Sequence, residues 1–267
     1  MTSRFEISNK HPRAESLRIR ELLVDFWEKG IVTTTGLIAH GRGEAFDYLL
    51  GEETTHTARE AMKASAASLL LADCPVFSVN GNVAALVAKE IVELSRITGA
   101  NIEVNLFHRS RRREESIKKL LENAGAKGVL GVGPAASKRI PEIDSERRRV
   151  DPEGIYVADV VLVPLEDGDR TEGLVKMGKT VIAIDLNPLS RTAQFASITI
   201  VDNVVRVMPA LIRKVKELKS KNRAELTKIV TQYSNRQVLS RVINQINTRL
   251  KKLSEKGIYL EIPPQAR

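Results

Sequence analysis

The sequence of 267 residues predicts an α/β protein: a mostly parallel sheet covered by helices on both faces, preceded by a helical segment and followed by two long helices. Three observations lead there. Short β-branched apolar runs alternate with helical patterns through the middle of the chain, as successive βαβ units do. Those runs are apolar throughout rather than alternating, which suits strands buried on both faces of a parallel sheet. Hydrophobic residues make up 42% and charged residues 28%, enough apolar surface for a core and too much for a disordered chain.

The elements follow in order. Residues 13–29 and 35–50 read as helices, the second capped by Thr34 or Thr35, and the alanine-rich stretch 57–71 as a third. Residues 74–79 form the first strand, 83–98 a helix ending at Gly99, and 101–106 a strand. A helix at 114–123 stopped by Gly125 leads to a strand at 128–132. Strands at 157–163 and 180–186, with a short helix at 170–176 between them, complete the sheet. The first C-terminal helix carries Val204, Met208, Leu211, Val215 and Leu218, and the second Leu239, Ile243, Ile246, Leu250 and Leu253. Steps of four and three give each a narrow apolar seam, suited to packing on the sheet or to a subunit contact. No repeat or linker interrupts the chain, so one domain is expected over 1–267: helical 1–72, the sheet core 73–202, and the C-terminal helices 203–267.

Lysine and arginine number 42 against 33 acids, a net charge of +9. Such a balance attracts nucleic acid, a membrane surface or small anions. Aromatics are only 4%, and nothing interleaves them with basic residues as a base-stacking platform does. The arginine clusters at 109–113 and 147–149 lie beside Glu114, Glu115, Glu146 and Asp151, and read as solvated faces. With the lysine-rich stretch 214–221 they support one alternative, a basic nucleic-acid-binding α/β protein. A single cysteine, Cys74, excludes an intramolecular disulfide, and four histidines argue against a dedicated zinc site. No apolar run approaches the ~20 residues of a membrane span, and the first residues show no secretory h-region. A soluble cytoplasmic protein is the expectation.

The usual phosphate loops are missing: neither G-x-x-x-x-G-K-[ST] nor a G-x-G-x-x-G after a strand occurs. Chemistry is better sought where strands end, since open α/β sheets bind ligands there. Asp185 and Asn187 suit a ribose or an adenine edge, and Arg191 and Thr192 suit phosphate; the competing reading is a capped turn. Asp202 and Asn203 head a helix, where capping is the default role. Asn80, Gly81 and Asn82 stand at a helix start that presents free N–H groups to an anion. Gly36, Gly41 and Gly43 are costly inside a helix, which points either to close packing or to a ligand passing His40 and Arg42.

Together, the stretches 11–21, 36–52, 80–86, 106–110, 145–170, 178–192 and 201–206 resemble the archaeal phosphopantothenate synthetases, also called 4-phosphopantoate–β-alanine ligases. The resemblance implies a Rossmann-like fold, a homodimer and a carbon–nitrogen ligase of coenzyme A synthesis. ATP, with Mg²⁺, would activate 4-phosphopantoate as an acyl-adenylate. β-Alanine would then displace AMP to give 4-phosphopantothenate. The nucleotide contacts implied are Arg20, Arg42, Asp185, Leu186, Asn187, Arg191, Thr192, Asp202 and Asn203, with Arg18 as the alternative to Arg20. Candidates on the acid-substrate side are His40, Asn82, His108 and Arg109. No side chain is assigned as the catalytic group, no protein-held metal is implied, and neither nucleic acid nor membrane is an expected partner.

Overall fold

The computed structural model describes residues 7–11 and 13–257. Three helices lead: α1 (Ala14–Glu28), α2 (Thr34–Leu50) and α3 (His56–Leu71). Then come β1 (Pro75–Val79), α4 (Gly81–Thr98), β2 (Asn101–Val104) and α5 (Arg111–Asn123). A small antiparallel pair, β3 (Lys138–Arg139) and β4 (Arg149–Val150), precedes β5 (Val160–Pro164), α6 (Gly168–Lys176) and β6 (Thr180–Ile184). The chain continues through α7 (Arg191–Phe195), β7 (Ile198–Ile200), α8 (Val204–Leu218), α9 (Arg223–Thr231) and α10 (Asn235–Lys256).

The main sheet has five parallel strands in the order β2-β1-β5-β6-β7. This is the doubly wound α/β arrangement, with the 2-1-3-4-5 order of the flavodoxin-like branch. Its register lines Ile102, Phe77, Leu162, Ile182 and Ile198 in one row across all five strands. That row faces the larger core, shared with α3, α4 and α8, where Ala61, Ile91 and Leu211 pack. The alternate residues Val76, Val161 and Val181 face the other way, against Leu174 of α6 and against Ile140, Ile143 and Ile155 of the segment between α5 and β5. Period two within each strand therefore serves two apolar layers, which is why the strands lack alternation.

Most of the expected elements are present, and the differences have local causes. Residues 128–132 do not form a strand. Gly128 and Gly131 hold φ of +68° and +78°, and only Leu130 bridges to β2, beside Glu103. The strand expected at 157–163 begins at Val160, after a turn. Helix α2 is capped by Thr33, whose hydroxyl accepts from Gly36 N, rather than by Thr34 or Thr35. The C-terminal region holds three helices, because Asn222 and Glu225 form a capping box that starts the short α9. The seam of α8 is buried within the chain, whereas that of α10 is covered at Leu239 and open at Leu250. No helix among the described residues is long and apolar enough to cross a membrane.

One buried acid fastens the irregular segment to β2. Glu103 is wholly buried and accepts from Asp151 N at 3.1 Å and Ile155 N at 2.6 Å. Gly131 and Gly154 both sit where a Cβ would collide with its side chain. Burial pushes the Glu103 carboxyl from 4.5 up to about 7, with the two amides pulling the other way. The folded chain thus keeps a proton that the unfolded chain has released, and stability falls as pH rises between these two values. Urea-unfolding midpoints should decline across this window in the native sequence and less steeply in Glu103→Gln, which has nothing there to titrate. Equal slopes would show that Glu103 is ionised throughout.

Candidate functional site

Helix α4 leaves β1 toward the larger core and α6 leaves β5 toward the smaller one, so the chain parts at the carboxyl ends of two neighbouring strands. Ligands of doubly wound sheets bind at such a switch point. Here a cleft of about 680 Å³ opens, lined by the turns after β1, β2, β5, β6 and β7 and walled on its remaining side by α2.

Backbone detail makes room for it. Leu165, immediately past β5, is left-handed at φ +53°, a conformation that costs of order 1–3 kcal/mol and concentrates at functional sites. Its carbonyl accepts from Asn80 Nδ2 at 2.9 Å, while Asn80 Oδ1 accepts from Val83 N and caps α4. One side chain thereby ties the β1 turn to the β5 turn. Gly81 begins α4 where a Cβ would strike the Ile31 carbonyl, and Gly168 begins α6 where one would strike the Arg191 side chain. Of the three glycines in α2, only Gly36 is demanded by packing, against Asn82.

The β6 turn carries the strand-end group read from the sequence. Asp185 Oδ1 accepts from Asn187 N at 2.9 Å and Oδ2 accepts from the Ser190 hydroxyl. Asn187 Oδ1 accepts from Leu189 N at 2.9 Å, so a capped turn does form, with Asp185 and Asn187 on the cleft wall. Burial raises the Asp185 carboxyl above its usual range, opposed by Ser190, Asn187 N–H and the charge of Arg42. Arg191 is 65% exposed at the rim and pairs with Glu172 at 2.9 Å. Thr192 is buried and donates its hydroxyl to the Glu166 carbonyl at 2.7 Å, joining α7 to the β5 turn. Leu186 lines the cleft and packs with Leu50 and Val201.

The remaining candidates divide. Asn203 lines the cleft, caps α8 and donates to Asp47 at 3.0 Å. Asp202 lies behind it, buried, accepting from Thr54 Oγ1 at 2.6 Å and from Arg206, which also bridges to Asp47. Arg42, His40, Asn82 and His108 line the cleft. Burial holds the His40 imidazole below its usual pKa, favouring the neutral form. Asn82 donates to the Gly36 carbonyl at 2.9 Å. Arg20 pairs with Glu44 outside the lining, and Arg18 donates to Asn9 and the Ile7 carbonyl. Arg109 is turned inward, pairing with Glu114 and donating to the carbonyls of Gly131 and Arg149.

The arginine clusters are therefore not simply solvated faces. Arg147, in the short 3₁₀ turn Glu146–Arg148, is buried and lines the cleft with Glu166 and Asp167. Arg113 of α5 lines it too. Reading the sequence passed over these four. The available signal was the string Glu166-Asp167-Gly168 at a strand end, the same kind of signal as at Asp185.

Fold and cleft define a class: an open, doubly wound α/β protein with a cation-bearing cleft at its switch point, suited to anionic small molecules. The family described as phosphopantothenate/pantothenate synthetase matches residues 57–249, and the chain belongs to it. A protein of Thermococcus kodakarensis named 4-phosphopantoate–β-alanine ligase is 52% identical over 254 residues, covering 95% of this chain and 97% of the relative. One of the same name from Methanosarcina mazei is 51% identical over 254 residues, covering 95% and 99% respectively.

Removing Arg206 tests the arrangement behind Asn203. Asp47 and Asp202 would be left buried and unpaired, which typically costs 3–5 kcal/mol. Chemical denaturation of Arg206→Ala should show a loss of about that size. A change under about 1 kcal/mol would mean that the carboxylates find water or a proton instead.

Proposed function

We propose that the chain is an ATP-dependent carbon–nitrogen ligase that condenses 4-phosphopantoate with β-alanine, giving 4-phosphopantothenate, AMP and diphosphate in coenzyme A synthesis. The relatives' shared name and near-complete coverage support this reading. From the geometry, what carries it is one cleft with cationic groups spread along it: Arg42 and Arg191 by the β6 turn, Arg147 at the β5 turn, and Arg113 beside the start of α4. Two polyanions bound side by side need that spread.

In this reading the nucleotide lies over the β6–β7 end, against Asp185, Leu186, Asn187, Arg191, Thr192 and Asn203, with Arg42 facing it from α2. Arg20 and Asp202 act through what they hold, Glu44 on α2 and the start of α8. His40, Asn82 and His108 face the acid substrate, and Arg109 braces the loops behind it. The acid's carboxylate oxygen attacks the α-phosphorus and diphosphate leaves. The β-alanine nitrogen then bonds to the acyl carbon, AMP departs with the electron pair of the broken C–O bond, and the amine loses a proton. No protein nucleophile is required, so the residues act by positioning and charge stabilisation. Mg²⁺ supplies charge neutralisation at the phosphates when bound. No group of three His, Cys, Asp or Glu side chains that could hold a metal ion converges among the described residues. The reaction belongs in the cytoplasm, and a homodimer is proposed with the open end of the α10 seam at Leu250 as apolar contact surface.

Incubation with ATP, Mg²⁺, 4-phosphopantoate and β-alanine should yield AMP and 4-phosphopantothenate by mass spectrometry; ADP, or no product, would discard the reading. Arg191→Ala should weaken ATP binding about 10- to 150-fold, the worth of a charge-assisted phosphate contact. Its melting temperature should hold, since an exposed bridge such as Arg191–Glu172 adds little. A lower melting temperature with wild-type ATP affinity would assign Arg191 to the turn alone. Light scattering should report about twice 29.6 kDa, and a monomer would leave the α10 seam to intrachain packing.

A further inference from the structure

Two cations that line the cleft, Arg113 beside the start of α4 and Arg147 at the β5 turn, are not used by the nucleotide contacts. Arg113 donates to the carbonyl of Ile31 at 2.9 Å and to that of His108. Both acceptors are neutral, and no carboxylate pairs with Arg113 among the described residues. Arg147 is only 6% exposed. Its Nη1 meets Glu166 and its Nε meets Asp167 at 2.9 Å, while Nη2 has no partner among the described residues. The other oxygen of Glu166 meets Arg170, which is fully buried and donates to the Ser78 hydroxyl on β1 at 3.0 Å.

The counter-charge is unevenly placed. Glu166 pairs with both Arg147 and Arg170, and Glu103 also acts on Arg170, but none of these carboxylates pairs with Arg113. Burial raises the Asp167 carboxyl, which weakens the counter-charge at Arg147, and Arg147 repels Arg113. Partly buried cations without a counter-charge are costly unless an anion joins them. Both arginines line the same open cleft, and α4 starts beside Arg113, where a Gly81 Cβ would stand 3.1 Å from Nη2. The free amides of that first turn favour negative charge at the same point.

We propose that Arg113 and Arg147 form a second anion subsite, separate from the β6–β7 end, which takes the phosphomonoester of the acid substrate. Glu166, Arg170 and Ser78 are positioning residues: they fix the Arg147 fork from beneath without reaching the ligand. The identity of the acid rests on the ligase reading; the subsite itself rests on the charge and geometry.

Calorimetric titration of 4-phosphopantoate, pantoate and ATP into wild type, Arg113→Gln and Arg147→Lys tests it. Arg147→Lys keeps a charge opposite Glu166 and Asp167, which protects the fold, but loses Nη2, the donor that neither acid takes. Wild type should bind 4-phosphopantoate more tightly than pantoate. Each variant should lose about 10- to 100-fold in affinity for 4-phosphopantoate, with pantoate and ATP within about threefold of wild type. Equal losses for ATP would assign these arginines to the nucleotide's phosphates and overturn the proposal, as would unchanged 4-phosphopantoate affinity in a folded Arg147→Lys. Because these titrations need no turnover, failure of wild type to make 4-phosphopantothenate would overturn the ligase reading. A selective loss of phosphomonoester binding would uphold the subsite even then.

Discussion

The site depends on the parting of the chain between β1 and β5. Parallel strands must be joined by crossovers, and where successive crossovers pass to opposite faces no helix covers the strand ends. A gap of that kind would fill with water or collapse unless its walls were fixed. In this protein they are fixed by polar side chains that reach across the two strands. Asn80 holds the β5 turn by the Leu165 carbonyl, and Arg170 joins Ser78 of β1 to Glu166 after β5. The apolar rows beneath supply most of the stability; these few bonds decide the shape of the cleft.

The charges follow the same logic. A buried ion pair adds little net stability, because desolvation offsets attraction, but removing one partner is expensive. Networks such as Arg147–Glu166–Arg170 and Asp47–Arg206–Asp202 therefore serve to set geometry more than to hold the fold. The first stands beneath the β1–β5 end of the cleft and the second behind the β7 end. The cleft floor between them consists of short turns whose own side chains cap the following helices, as Asn80, Ser190 and Asn203 do. Each cap leaves the start of a helix facing the cleft, so capping and ligand binding are not competing uses of these turns.

Part of the basic excess is thus used in local arrangements. Arginines that look like surface clusters along the chain are divided by the fold: Arg109 and Arg147 turn inward, while Arg111 and Arg112 remain exposed. Adjacent residues in a helix or a 3₁₀ turn point in different directions, so a run of one residue type carries no single environment.

Composition and periodicity by themselves determined the α/β class, the helix and strand positions of the core, and the strand-end residues Asp185, Asn187 and Asn203, because local propensity, capping and apolar patterning are properties of short stretches. The long polar strings added the family. Tertiary structure alone decided three matters. It kept the apolar run 128–132 out of the sheet apart from one bridge at Leu130, with Gly128 and Gly131 left-handed on either side. It separated Asn203 on the cleft wall from Asp202 behind it. And it brought Arg113, Arg147 and Glu166 to the wall of one cleft, though they are far apart in the chain and lie in stretches that read as solvated or unremarkable. The physical reason is common to all three. Burial and charge pairing depend on what lies across the sheet, and sequence order does not encode those distances until the strand order β2-β1-β5-β6-β7 is set.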